Sequence, residues 1–101
     1  MIDLNNLGSS IQELNFEAPE TMRAFWEFDK LAAQDGAIPA RYKELMAVAV
    51  ALTTQCGGCI AIHAQRARDL GATKQEFAEV AALTAALRAG GAIVHATLAL
   101  K

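Results

Sequence analysis

Aromatic residues are scarce, six in a chain of 101, with one tryptophan and one tyrosine among them. Apolar residues still make up 53% of the chain, and because much of that is alanine the composition favours close packing of helices over a core of large rings. An excess of one charge is missing too. Nine Lys and Arg stand against eleven Asp and Glu, giving a formal net charge of -2 with the signs interspersed. This excludes the basic footprint expected of a protein that binds nucleic acid or an anionic membrane surface. Long apolar runs are lacking: the longest candidate, residues 45–52, falls far short of the roughly 20 residues that a spanning helix needs. The opening residues 1–14 have neither the basic region nor the apolar stretch of a signal peptide. The expectation is a soluble, cytoplasmic protein without nucleic-acid or membrane partners.

There is also no internal repeat, low-complexity tract or second C-x-x-C or H-x-H pair. At this length the chain reads as one domain, residues 1–101, able to bury roughly 60 to 70% of its unfolded surface. That is less than its apolar content calls for, so the excess is expected to be covered between subunits of a homo-oligomer.

Residues 1–18 lack sustained periodicity and read as an extended arm or short helix. Pro19 and Glu20 open a helical pattern in which Met22, Phe25, Trp26, Phe28 and Leu31 recur at three and four, ending at Asp35-Gly36. Pro39 restarts the chain. From Arg41 to Thr53 it is apolar nearly all round, and such a helix is expected to be buried. Within it Glu44 has a bland reading, a first-turn carboxylate favoured by the helix dipole. A further helix, Ile60 to Leu70, closes on Gly71. Thr73 with Glu76 forms a capping box for the next one, and Gly90-Gly91 is expected to stop or kink it before a short terminal helix over residues 92–100.

Both cysteines fall in one constellation, Cys56, Cys59 and His63, with Glu44 upstream. Thiols at C-x-x-C spacing can close an internal disulfide. If a helix begins near Cys56, its unpaired N–H groups and dipole favour thiolate over thiol. Gly57-Gly58 lets the backbone tighten between the sulfurs. His63, four residues beyond Cys59, lies one turn along the same face and exchanges protons near neutral pH. Three other readings stand beside redox chemistry. Inert core cysteines are one, and the neighbouring glycine pair and histidine argue against it. A zinc site would use Cys56, Cys59, His63 and Glu44, yet the usual second ligand pair is missing, so no metal is expected. A thioredoxin fold wants the motif after a strand, and here a helix precedes it. His95, alone in an apolar segment, reads as a core or interface residue, and Arg66 and Arg68 as a solvated face.

The run from Glu44 through Q-C-G-G-C-I-A-I-H follows E-x11-C-x2-C-x3-H, and residues 39–99 resemble the alkylhydroperoxidase D (AhpD)-like branch of the carboxymuconolactone decarboxylase superfamily. The resemblance implies an all-α bundle of about five or six helices, assembled as a homotrimer or homohexamer, with peroxidase or disulfide-reductase activity and no cofactor. It makes Cys59 the thiol that attacks a peroxide, Cys56 the resolving thiol, and Glu44 and His63 the proton relay. A lipoyl group or redox protein would be the thiol reductant that resets the disulfide. The family prototype carries a histidine just before the second cysteine where this chain has Gly58, which removes one possible thiol activator. A general dithiol-disulfide oxidoreductase and a non-enzymatic metal-binding or assembly protein are the alternatives. Phe16, Phe25, Trp26 and Tyr42 are candidates for the lining of a substrate pocket.

Overall fold

In a computed structural model of the chain, which describes residues 4–101, all regular structure is helical. A 3-10 turn at Leu4–Asn6 leads into α1 (Leu7–Glu17), α2 (Pro19–Ala33), α3 (Ala40–Thr54), α4 (Gly57–Asp69) and α5 (Lys74–Ala96), and a second 3-10 turn occupies Thr97–Leu100. The all-α expectation is met. Of the segment read as an arm or short helix, residues 1–3 lie outside the described residues, and the chain is helical from Leu7.

Pro19 opens α2 at its first turn, where its missing N–H costs no hydrogen bond, and Lys30 complements the dipole at the other end. The Trp26 indole N–H donates to Asn15 Oδ1 at 2.7 Å, tying α2 back to α1. The start of α3 is held by Asp35, whose Oδ1 accepts the Ala40 N–H at 2.7 Å, and by Lys43, whose Nζ donates to the carbonyls of Ala32 and Gln34. α3 ends where Gln55 turns left-handed, with φ of 57°. The chain reverses there and α4 packs back along α3, the most extensive helix contact in the protein, followed by that of α3 with α5.

The buried apolar side chains among the described residues are Leu45, Val48 and Ala51 on α3 and Ala67 on α4. Two of the four are alanines, so the helices approach closely. The expectation of a fully buried α3 holds for this face alone. Tyr42, Met46 and Val50 on its other sides are about half exposed, because nothing among the described residues covers them.

Helix α4 closes in a Schellman motif. Gly71 takes φ of 94°, the Ala72 N–H reaches the Ala67 carbonyl and the Gly71 N–H that of Arg68, both at 2.9 Å. The capping box of α5 forms as expected: Thr73 Oγ1 accepts the Glu76 N–H, and Glu76 Oε1 accepts the Thr73 N–H. Glu76 also pairs with Arg41 of α3, which fastens the start of α5 to the core.

Two sequence expectations fail on α5. The helix continues through Gly90-Gly91 to Ala96, so the pair does not stop it. A glycine costs a helix interior only about 1 kcal/mol relative to alanine, little against a frame of 23 residues. The longest apolar stretch is also not residues 45–52. Lys74–Leu100, with a mean hydropathy of 1.5, is long and apolar enough by length and composition to cross a membrane. Alanine hides such a stretch from a reading attuned to large aliphatic runs. The cap, the Arg41 pair and the packing of its first half on α3 nevertheless build this helix into the fold.

Most of the surface of α5 is bare. The chain exposes 7595 Å², against about 5,500 Å² for a compact monomer of its mass. Its radius of gyration is 16.5 Å, where about 13 Å is usual at this length.

The Glu76 carboxyl is held below its ordinary value of 4.5, first by the Thr73 backbone N–H and then by the Arg41 guanidinium. A depressed carboxylate contributes stability that is complete above its unfolded value and is lost as pH falls through the lower folded one. Thermal melts between pH 2 and 6 are therefore expected to lose Tm toward the acid end, and to do so less steeply in Glu76→Gln. Parallel curves for the two proteins would show that the box does not carry this dependence.

Candidate active site

The bend between α3 and α4 places both cysteines. The Cys56 N–H still bonds to Ala51 at the end of α3, while Cys56 itself, in an extended conformation, is the N-cap of α4. Cys59 is then the third helical residue. Its backbone N–H, one of the donors a helix start leaves unpaired, meets Cys56 Sγ at 3.2 Å. The two cysteines are joined as a disulfide, with Cα atoms 5.2 Å apart. Gly58 between them is buried. The expectation that the motif opens a helix is met, and the thiols sit at its positive end.

One turn along α4, His63 Nδ1 lies 2.6 Å from Glu44 Oε2. Glu44 projects from the second turn of α3 rather than the first and is only 4% exposed, so it is not the dipole-favoured surface carboxylate of the bland reading. Its partner is a side chain 19 residues on. With Nδ1 engaged, the imidazole keeps Nε2 as its second proton site. The pair is half open to solvent on the histidine side, where the side chain is 21% exposed.

Two clefts meet at Glu44. One, of about 350 Å³, is walled by Ile38, Met46, Ala47 and Val50, with Asp29, Lys43 and His63 as its polar members beside Glu44. The other, of about 430 Å³, is lined by Trp26, Asp29, Lys30, Gln34 and Arg66. Of the aromatic residues suggested for a substrate pocket, Trp26 alone lines either cleft. Tyr42 faces a separate apolar groove between α3 and α5, and Phe16 and Phe25 are exposed. His95 also lies away from the site, on the exposed end of α5. No group of three or more His, Cys, Asp and Glu side chains placed to hold a metal occurs among the described residues.

Arg66 corrects the sequence reading. Its side chain remains 39% exposed, but it is not merely a solvated residue: its Nη1 is 3.2 Å from Asp29 Oδ2 on α2 and 3.9 Å from Glu44 Oε1. Arg68 is the surface residue of the two, bonded to Gln65 and stacked over Phe77. The one signal in the sequence for Arg66 was its place three residues after His63, on the same helix face.

Known proteins share this arrangement of helices. The structure superposes on the crystal structure of the apo form of a carboxymuconolactone decarboxylase family protein from Legionella pneumophila with a TM-score of 0.80, at 31% identity, covering 93% of this chain and 84% of that one. An uncharacterized protein of Paracoccus denitrificans, "protein 4 in cox locus", is 46% identical over 77 residues, 76% of this chain and 69% of its own. An uncharacterized protein of Cupriavidus necator is 35% identical over 97 residues, covering 96% of this chain and 86% of its own. The family model described as carboxymuconolactone decarboxylase matches residues 19–101. By that match and by its fold, the chain belongs to the carboxymuconolactone decarboxylase family.

Proposed function

We propose that this chain is a thiol peroxidase of the AhpD-like branch, acting in the cytoplasm on hydrogen peroxide or an organic hydroperoxide. The observation that carries this reading is the Cys56–Cys59 disulfide at the start of α4, one helical turn from a carboxylate-imidazole pair. In the reduced protein the Cys59 thiolate attacks one peroxide oxygen, the O–O bond breaks, and Cys59 becomes a sulfenic acid while the alkoxide leaves. A proton delivered from His63 neutralises that alkoxide, and Glu44 holds the imidazole in the orientation and protonation state to deliver it. The Cys56 thiol then attacks the sulfenic sulfur, water departs, and the disulfide forms. An external dithiol, such as a lipoyl group or a redox protein, reduces it by exchange.

A second reading, a general dithiol-disulfide oxidoreductase, has one observation in its favour. Gly58 stands where the family prototype has a histidine, so one activator of the peroxide-attacking thiol is lost while the exchangeable disulfide is kept. Fast exchange with lipoamide together with slow reaction with peroxide would select it.

Stopped-flow oxidation of the reduced protein by an organic hydroperoxide is expected to yield the intramolecular disulfide, and Cys59→Ser to abolish it. Cys56→Ser should stop at a sulfenic acid that a dimedone probe traps. Peroxide turnover at the wild-type rate in Cys59→Ser would overturn the assignment of the nucleophile. His63→Ala and Glu44→Gln are each expected to slow oxidation by about 100-fold at neutral pH, in line with the loss of a positioned proton donor. Rates within twofold of wild type would remove both from the relay.

We also propose that the working form is a homotrimer or homohexamer. Support comes from surface the single chain leaves bare: the groove formed by Tyr42, Met46 and Val50 with Leu83 and Leu87, and the open Ile93, Val94 and Leu98 beyond it. Light scattering should give a mass at least three times the 10.7 kDa of one chain, and Leu87→Glu should lower it. A monomeric wild-type protein would refute the proposal.

A further inference from the structure

Glu44 has a difficulty that His63 alone does not solve. A carboxylate this deeply buried is costly unless an opposite charge attends it. Imidazolium provides that charge, but a relay works by releasing the proton, and at that moment the histidine is neutral. Arg66 stands on the other oxygen. Its guanidinium keeps its charge at any pH the protein meets, and it approaches Oε1 while His63 holds Oε2. Arg66 is anchored from outside by Asp29, whose carboxylate draws the same Nη1 to 3.2 Å and bridges α2 to α4. Two other cations face this region. Lys43 lines the apolar cleft, with its Nζ already donating to the carbonyls of Ala32 and Gln34, and Lys30 lines the polar one. Among the described residues the ion-pair partners of Glu44 are His63 and Arg66.

We propose that Arg66, restrained by Asp29, is a positioning residue that acts through Glu44. It is the permanent counter-charge that keeps Glu44 ionised while His63 passes between its charged and neutral forms. The proposal rests on the relay role assigned to Glu44 and His63 above. It adds a charged triad, Asp29, Arg66 and Glu44, contributed by three different helices, and makes the polar cleft around Trp26 and Arg66 the outer face of the relay.

The test measures two reactions between pH 5 and 9, oxidation of the reduced protein by hydroperoxide and reduction of the Cys56–Cys59 disulfide by dithiothreitol, in wild type, Arg66→Gln and Arg66→Lys. Without the fixed positive charge 3.9 Å from Glu44 Oε1, protonation of the relay would no longer be opposed from that side. Arg66→Gln is therefore expected to move the acid limb of the rate profile up by about one pH unit, a roughly tenfold loss on that limb. Arg66→Lys should restore most of it. An unmoved profile overturns the proposal. So does a uniform loss at every pH that tracks a lower Tm and is not rescued by lysine, since that is the behaviour of a bridge between α2 and α4 and nothing more. If wild type proves inert to hydroperoxides, the peroxidase reading falls, while a displaced limb in the dithiothreitol reaction still upholds the role of Arg66.

Discussion

A buried carboxylate is costly unless hydrogen bonds or an opposite charge attend it, and Glu44 imposes that demand where α3 packs on α4. The helices around it are arranged to satisfy it. α4 supplies His63 to one oxygen and Arg66 toward the other, and α2 supplies the aspartate that steadies Arg66. Removing one member of such a group costs more than the pairing itself contributes, because a charge is then left in a place without water. The packing of α4 on α3 and the tie from α2 to α4 thus meet around the same side chain. The small residues of the core serve this geometry as well, since Ala51 and Ala67 allow the close approach that brings residues 19 positions apart in sequence to 2.6 Å.

On the other side of α3 the physical situation is reversed. Apolar side chains there line a groove of about 440 Å³ and extend along an almost uncovered α5, and the chain exposes some 2,000 Å² more than a compact monomer of its mass would. A standard interface removes about 800 Å² from each partner, so the excess is enough for more than one contact. The chain therefore presents two faces from one central helix. The face of α3 that carries Glu44 builds the site within the chain, and the opposite apolar face is left uncovered by the described residues. A helix that is apolar all round in sequence is consistent with both uses, which is why its pattern foretold burial but not where the cover comes from.

Local chemistry was the most legible part. The capping box at Thr73, the left-handed Gly71 and the proline at the head of α2 are each decided by residues within one turn, and all three are as their residue types require. The juxtaposition of Cys56, Cys59 and His63 was readable for the same reason, because helical spacing alone relates them. Glu44 and His63 were named together only through the family pattern, as nothing local distinguishes a carboxylate that caps a helix from one that reaches across to another. Arg66 was misread because Asp29 is 37 residues away. Gly90-Gly91 misled in the opposite sense: their weak intrinsic preference is a local quantity, and the continuous frame of α5 outweighs it.

The sulfur of Cys56 has two duties, and they are not independent. It closes the disulfide, and it receives the Cys59 N–H at the head of α4. A disulfide sulfur is a weak acceptor, whereas a thiolate at the same N-cap accepts a charge-assisted bond and also meets the positive end of the helix dipole. A Cys56 thiolate formed on reduction would therefore cap the first turn of α4 more strongly than the disulfide sulfur does. In the proposed cycle, a sulfur at that N-cap would be the better leaving group if an incoming dithiol attacked Cys59. Placing one cysteine at the N-cap and the other in the first turn gives the two sulfurs different surroundings. That asymmetry follows from the backbone, and it is the physical basis on which two chemically identical side chains can take different parts in one cycle.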